Sequence, residues 1–236
     1  GSTIDREVDY SLRTTVGPEI GVASTKSFTS QLVILFLMAI ALGKKFNNLK
    51  LPKIESYLSY LNKLPRAISK MLELESQIIT VAQAIKNANS VIFLGRGYLY
   101  PLALEGALKL KELSYIHAEG FAAGEMKHGP IALIEDELPV IMFLIADGLE
   151  DKSISNLQEA HSRGAKIILF ADKACIDKAP FAHLKIEIPN FSDEFKAILS
   201  PVLMSIPAQL LAYHVAKERG TDVDQPRNLA KSVTVE

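Results

Sequence analysis

Glu105, Lys109 and Glu112 are the residues whose types and spacing first suggest chemistry. They fall at i, i+4 and i+7, so on a helix they share one face. A carboxylate one turn from an ammonium stays ionised near neutral pH and can act as a base. The same spacing suits a solvated helix face with ordinary Glu–Lys pairs, each worth about 0.2–0.5 kcal/mol. Spacing alone favours that plainer reading. Just upstream, Ser90–Leu94 is a short apolar run of β-favouring residues, broken by Gly95-Arg96-Gly97. Free backbone N–H groups at a helix start attract anions, so strand, glycine turn and helix start are pieces of an α/β ligand site. The six-residue dinucleotide fingerprint is absent, because Tyr100 stands where its third glycine would be.

The elements that must hold these residues follow from periodicity. Pro101 suits a first helical turn, and a helical pattern runs from it to about Tyr115. Ala103, Ala107, Leu110 and Leu113 lie on a second face that would pack on a sheet. Apolar runs recur at Val91–Leu94, Pro139–Ile145, Ile167–Phe170 and Leu184–Ile188, with a further short strand near Ala118–Phe121. Helical patterns lie between and after them, at Glu150–Arg163 and Glu194–Arg219. Near-continuous Val/Ile/Leu/Phe strands separated by helices predict an α/β fold with a parallel sheet covered on both faces. Ligands in such sheets sit beyond the carboxyl ends of the strands, where Gly95–Gly97 lies.

Upstream, Tyr10–Val16 alternates like a strand but has no evident partner. Gly17-Pro18-Glu19 turns the chain, and Ser24 or Thr25 is expected to cap a helix over Ser27–Leu42, ending at Gly43. Lys44–Lys53 reads as a polar loop. Ile54–Ala88 is helical in pattern, and Pro65 is expected to divide it into two helices. The polar tail Thr221–Glu236 either frays or folds back over a site, bringing Arg227 and Lys231 with it.

Composition narrows the classes. The chain has 236 residues, 48% hydrophobic and 22% charged, enough for one large or two small domains. A net charge of −1 gives no electrostatic reason to expect nucleic acid or an anionic membrane as partner. Cys175 is the only cysteine, so an intrachain disulfide and a cysteine zinc cluster are excluded, and a reducing cytoplasm fits. The longest apolar run, Leu32–Leu42, is too short to span a bilayer and suits a buried helix. His117, His161, His183 and His214 show no metal-ligand spacing, so no metal is expected. No Ser-His-Asp or Cys-His nucleophile pattern occurs. The Gly-Ser start, without methionine or a basic-then-apolar leader, suggests either a cut piece or a tagged chain.

Four segments then converge on one family: EIGVASTK at 19–26, the 95–112 run ending ALEGALKLKE, SYIHAEGFAAGEMKHGP at 114–130, and DVDQPRNLAKSVTVE at 222–236. From about Ser11 to Glu236 the chain closely resembles the isomerase portion of the glutamine–fructose-6-phosphate aminotransferase (isomerising), or glucosamine-6-phosphate synthase, family. That resemblance implies two sugar isomerase (SIS) domains, each a three-layer sandwich with a five-stranded parallel sheet. Residues 1–44 would be the remnant of the first, 45–88 a helical connector, 89–220 the second, and 221–236 a tail reaching the active site. The glutaminase domain and the first SIS domain's phosphate-holding Ser/Thr loop would be missing, so this piece alone is not expected to make product.

The family converts fructose 6-phosphate and glutamine-derived ammonia to glucosamine 6-phosphate. The resemblance implies Glu112 as the base that moves a proton between C1 and C2, with Lys109 beside it. It implies Lys231 as the Schiff-base lysine, with Arg227 either lowering its pKa or lining the ammonia path. His128 would open the sugar ring in the neighbouring subunit of a homodimer. Val22 and Ala230 would touch the sugar through their backbones, and Glu19 would be a second site carboxylate. No pyridoxal cofactor is implied. The rival reading is a non-catalytic sugar-phosphate-binding SIS regulator, which would not need Glu112, His128 and Lys231 together. A plain sugar-phosphate isomerase, without an ammonia supply, is a third.

Overall fold

The four apolar runs and the less apolar segment around Ala118–Phe121 become the five strands of one parallel sheet. They are β1 (Ser90–Gly95), β2 (His117–Ala122), β3 (Pro139–Leu144), β4 (Lys166–Ala171) and β5 (Leu184–Glu187), in the spatial order β2-β1-β3-β4-β5. A computed structural model describes residues 2–231 of the chain. Its helices are α1 (Thr3–Glu7), α2 (Lys26–Lys45), α3 (Leu51–Leu72), α4 (Glu75–Ile85), α5 (Tyr100–Ser114), α6 (Glu150–His161), α7 (Lys173–Lys178) and α8 (Asp193–Arg219). The chain divides into two compact units: residues 1–20 with 24–62, and residues 21–23 with 63–236.

In the larger unit the predicted α/β architecture is observed. β3 is buried at every position, as a central strand with helices on both faces must be. On one face Leu157 and Ala160 of α6 and Cys175 of α7 pack on Ile92, Leu94, Val140 and Met142. On the other, the rings of Phe93, Phe143 and Phe170 run across three strands, with centroids 6.2 and 5.5 Å apart. α5 lies close on this face because Gly106 has no Cβ; one built there would sit 3.0 Å from the Phe93 ring. α8 packs against α5 and α4. At the end of β1, Gly95 allows a close approach that no side chain would, since a Cβ there would meet the Leu99 carbonyl oxygen at 2.0 Å.

Beyond the carboxyl ends of the strands, buried polar groups knit the loops together. Arg96 donates to Ser153 at 3.1 Å and to Asn156 at 2.8 Å, tying the glycine turn to α6. Asp172 caps α7 through the Cys175 N–H and accepts from the Ala146 N–H and, at 2.7 Å, from Lys196 of α8. Burial alone would raise the Asp172 carboxyl, but Lys196 and the two N–H donors outweigh it and hold the pKa below the ordinary value. A depressed carboxylate contributes stability that is full above its unfolded pKa, about 3.9, and is lost as pH falls through the folded one. Urea unfolding is therefore expected to show a decline below about pH 4 that Asp172→Asn flattens. An unchanged acid limb in the variant would remove Asp172 from its cause.

Several local expectations are corrected. α3 runs unbroken through Pro65, and the interruption falls at Glu73-Leu74. A proline removes one helical hydrogen bond, but Leu64, Ala67 and Met71 are buried on one face around it and keep the helix in place. Tyr10–Val16 forms no strand: among the described residues no strand pairs with it, and Thr15 has a left-handed φ of 48°. α2 extends two residues past Gly43, and α3 begins at Leu51, so the loop between them is only 46–50. In α2 only Ile40 is buried, with Leu35 56% exposed, so the apolar run does not make a buried helix within its unit. The remaining elements of that unit, α1, an irregular coil and the first part of α3, are too few to enclose it. α2 and residues Glu194–Arg219 are both long and apolar enough to cross a membrane by length and composition, the second being 72% buried. α1, α7 and the 3-10 turns at Gly97–Leu99, Ala123–His128 and Pro130–Leu133 were not anticipated. All are short, and short elements carry little periodicity.

Candidate functional site

α5 carries the site because two faces of one helix do different work. Its Ala103, Ala107 and Leu110 are buried, while the Glu105–Lys109–Glu112 row lies along another side. Lys109 is 2% exposed, so the solvated-face reading fails. Its ammonium lies 2.5 Å from Glu112 Oε2 and 3.6 Å from Glu105 Oε1. A buried ammonium between two carboxylates is far from a surface pair: removing it would leave like charges together in a poorly solvated place. Glu105 Oε1 is buried without a hydrogen bond. Burial pushes the Glu105 carboxyl up, Lys109 pulls it back in part, and Glu112 adds to the rise. Glu105 stood out in the sequence only as a member of the row. Its burial, which spacing could not show, gives it a part in the electrostatics.

Glu112 opens onto a cavity of about 570 Å³ lined by Lys111, Tyr115, His117, Arg227, Asn228 and Leu229 among others. Three of those residues belong to the tail, which folds back rather than fraying within its described part. Thr221 Oγ1 donates to the Leu113 carbonyl at 2.6 Å. Val223 packs on a small cluster of Ala23, Leu113, Ala212 and Ala216. The Asp222 carboxylate accepts from the N–H groups of Asp224 and Gln225, which holds its pKa below the ordinary value and shapes the turn. The tail is then pinned at Tyr115, whose hydroxyl accepts the Arg227 N–H at 2.8 Å and whose ring faces the Arg227 guanidinium at 4.1 Å. Arg227 thus lies on an aromatic ring next to the Glu112 cavity.

Residues 21–23 are stitched to the same tail. The Val22 N–H donates to the Asp224 carbonyl at 2.9 Å, and Lys231 Nζ donates to the Gly21 carbonyl at 2.8 Å. Val22, Asp224 and Lys231 are therefore brought together, with exposed Ala230 beside them. Glu19 belongs to the other unit and has a structural task there. Its Oε1 accepts from Thr25 N and Oγ1 and from Ser27 N, at 2.8, 3.2 and 3.3 Å, capping α2. The expected Ser24 or Thr25 side-chain cap is not made; Thr25 is the N-cap residue without a side-chain cap bond. His128 is exposed at the end of a 3-10 turn anchored by buried Met126, and it does not line the Glu112 cavity. Among the described residues no cluster of three His, Cys, Asp or Glu is arranged to hold a metal.

With this geometry in hand, comparison with known proteins is direct. The SIS domain pattern matches residues 84–219, which takes in α5 and the whole sheet. The chain belongs to the SIS domain family. Over its whole length this SIS chain is 49% identical to the glutamine–fructose-6-phosphate aminotransferase (isomerising) of Brucella abortus and 51% identical to that of Bradyrhizobium diazoefficiens. It spans 38% of the length of each. Among solved structures it is similar to the C-terminal domain of glucosamine-fructose-6-phosphate aminotransferase from Francisella tularensis, at 46% identity and a TM-score of 0.88. That match covers 94% of this SIS chain and 61% of the other.

Proposed function

We propose that this chain is the isomerase portion of an enzyme that makes glucosamine 6-phosphate from fructose 6-phosphate and glutamine-derived ammonia. One observation carries the reading. A carboxylate held by a buried ammonium opens onto a cavity that the folded-back tail helps to wall, and the same tail carries Lys231. The whole-length likeness to the Brucella and Bradyrhizobium enzymes supports it.

In this reading the Lys231 amine attacks the C2 carbonyl of the open-chain ketose, and water leaves as an imine forms. Ammonia displaces the lysine, leaving a C2 imine. Glu112 takes the C1 proton and returns it to C2, while the imine nitrogen gains a proton and the C1 hydroxyl gives one up, which gives the 2-amino aldose. Lys109 keeps the Glu112 carboxylate in place through both transfers. Val22 and Ala230 flank the sugar through their backbones. Arg227, on the Tyr115 ring, lines the entry beside Glu112. His128 opens the sugar ring in the partner's site, so the active form is a homodimer, the commonest closed assembly. Glu19 acts by holding the start of α2. The setting is the cytoplasm.

The test is borohydride reduction of the full-length enzyme in the presence of fructose 6-phosphate. A sugar adduct on Lys231 is expected, absent in Lys231→Arg. An unmodified Lys231 in active enzyme would end the Schiff-base assignment.

A further inference from the structure

Tyr115 is in an unusual position. It ends α5 with φ 63° and ψ 14°, a left-handed conformation that side chains with a Cβ rarely adopt. Glycine or asparagine is the usual choice at such a helix end. The Tyr115 side chain gains two contacts that neither could offer. Its hydroxyl accepts the backbone N–H of Arg227 at 2.8 Å, and its ring carries the guanidinium of the same residue at 4.1 Å. Both go to a residue 112 positions away, and both are made three residues after Glu112.

The tail on either side of that point is also tied down, by the Val22–Asp224 and Lys231–Gly21 hydrogen bonds. Pro226 is buried, but residues 227–231 are exposed and without regular structure. A short exposed segment of this kind samples many conformations unless specific contacts fix it. Lys231 lies four residues beyond Arg227, so the place where the chain is held at 227 limits where the amine can go.

We propose that Tyr115 is a positioning residue. It clamps the tail at Arg227 and so keeps the Lys231 amine within reach of the helix that carries Glu112. This rests on the reading of Glu112 and Lys231 as one site. The clamp itself is a statement about the tail and is measurable without sugar.

Three variants test it: Tyr115→Leu, Tyr115→Phe and, at an exposed position, Arg227→Ala. Hydrogen exchange on the 236-residue chain reads the clamp. A hydrogen bond and a cation–π contact together are worth about tenfold in the closed population, so Tyr115→Leu is expected to speed exchange of the Arg227 amide by about that factor. Tyr115→Phe, which keeps the ring, is expected to show an intermediate rise. Borohydride trapping in the full-length enzyme reads the function. At saturating fructose 6-phosphate, adduct formation on Lys231 is expected to slow about tenfold in Tyr115→Leu and less in Tyr115→Phe. Unchanged exchange in Tyr115→Leu overturns the clamp. Faster exchange with unchanged trapping overturns the positioning role. If the wild-type enzyme forms no adduct, the Schiff-base reading has failed, and exchange alone decides whether Tyr115 holds the tail. Should Tyr115→Leu not fold, Tyr115→Phe, which removes only the hydrogen bond, and Arg227→Ala, which removes only the guanidinium–ring contact, divide the same two comparisons between them.

Discussion

Glu112→Gln is expected to lower kcat for glucosamine 6-phosphate formation in the full-length enzyme by roughly 10²–10⁴-fold, the range set by loss of a positioned general base. The amide has nearly the shape of the carboxylate and can still accept from Lys109, so the helix and the cavity should remain. What it cannot do is take the C1 proton and return it to C2. Because the loss is confined to the transition state, KM for fructose 6-phosphate should stay within a few-fold while kcat and kcat/KM fall together. The same variant separates enzyme from sensor. Cells depending on it should fail to grow without added glucosamine, whereas a non-catalytic sugar-phosphate regulator has no use for that proton transfer. Normal growth, or a KM effect without a kcat effect, would move Glu112 from base to binding residue.

Most of the fold could be read from the chain because its central strands, β1, β3 and β4, are almost wholly buried. Pro139–Leu144 is apolar at every residue, the pattern of a strand covered on both faces in a parallel sheet. Local signals failed where tertiary contacts outweighed them. Pro65 reads as a break, yet the burial of Leu64, Ala67 and Met71 carries α3 past it. Tyr10–Val16 alternates like a strand, but alternation makes no strand without a hydrogen-bonding neighbour. The α2 start shows another limit. Ser24 and Thr25 are conventional caps by type, whereas the oxygen that fills the role comes from Glu19, six residues earlier.

The site was legible in part for the same reason. Glu105, Lys109 and Glu112 lie within eight residues on one helix, so periodicity put them on one face. Whether that face was wet or dry depended on packing, and the plainer expectation of a solvated row was wrong. The tail is the opposite case. Thr221 meets Leu113, Arg227 meets Tyr115 and Lys231 meets Gly21 across 108, 112 and 210 positions, and no spacing rule reaches so far. Composition left the tail either frayed or folded back with Arg227 and Lys231, only the likeness of its motif to a known family gave Lys231 a role, and nothing in the sequence marked Tyr115. A tyrosine at a helix end carries no pattern until its left-handed backbone and its partner are seen together.

Lys109→Met is expected to destabilise the protein by about 3 kcal/mol at pH 7.5, at the lower end of the cost of orphaning a buried charge because Glu112 retains some solvent. The methionine replaces the lysine stem at similar volume, so the penalty is electrostatic: Glu105 and Glu112 lose the ammonium between them and repel. The Glu105 carboxyl, which burial already raises, then loses the pull of Lys109 and rises further, and the folded protein binds more protons than the unfolded chain in the window above the unfolded value near 4.3. Stability of the variant must therefore rise as pH falls from 7.5 toward 5, narrowing its gap from the parent protein. Urea unfolding at the two pH values reads this directly. Adding Glu105→Gln to Lys109→Met removes one of the repelling charges, and the double variant should recover a substantial part of the loss. A deficit that is the same at both pH values and unrelieved by Glu105→Gln would mean that Lys109 acts through packing. The buried ammonium would then have no claim to hold the Glu112 carboxylate in place.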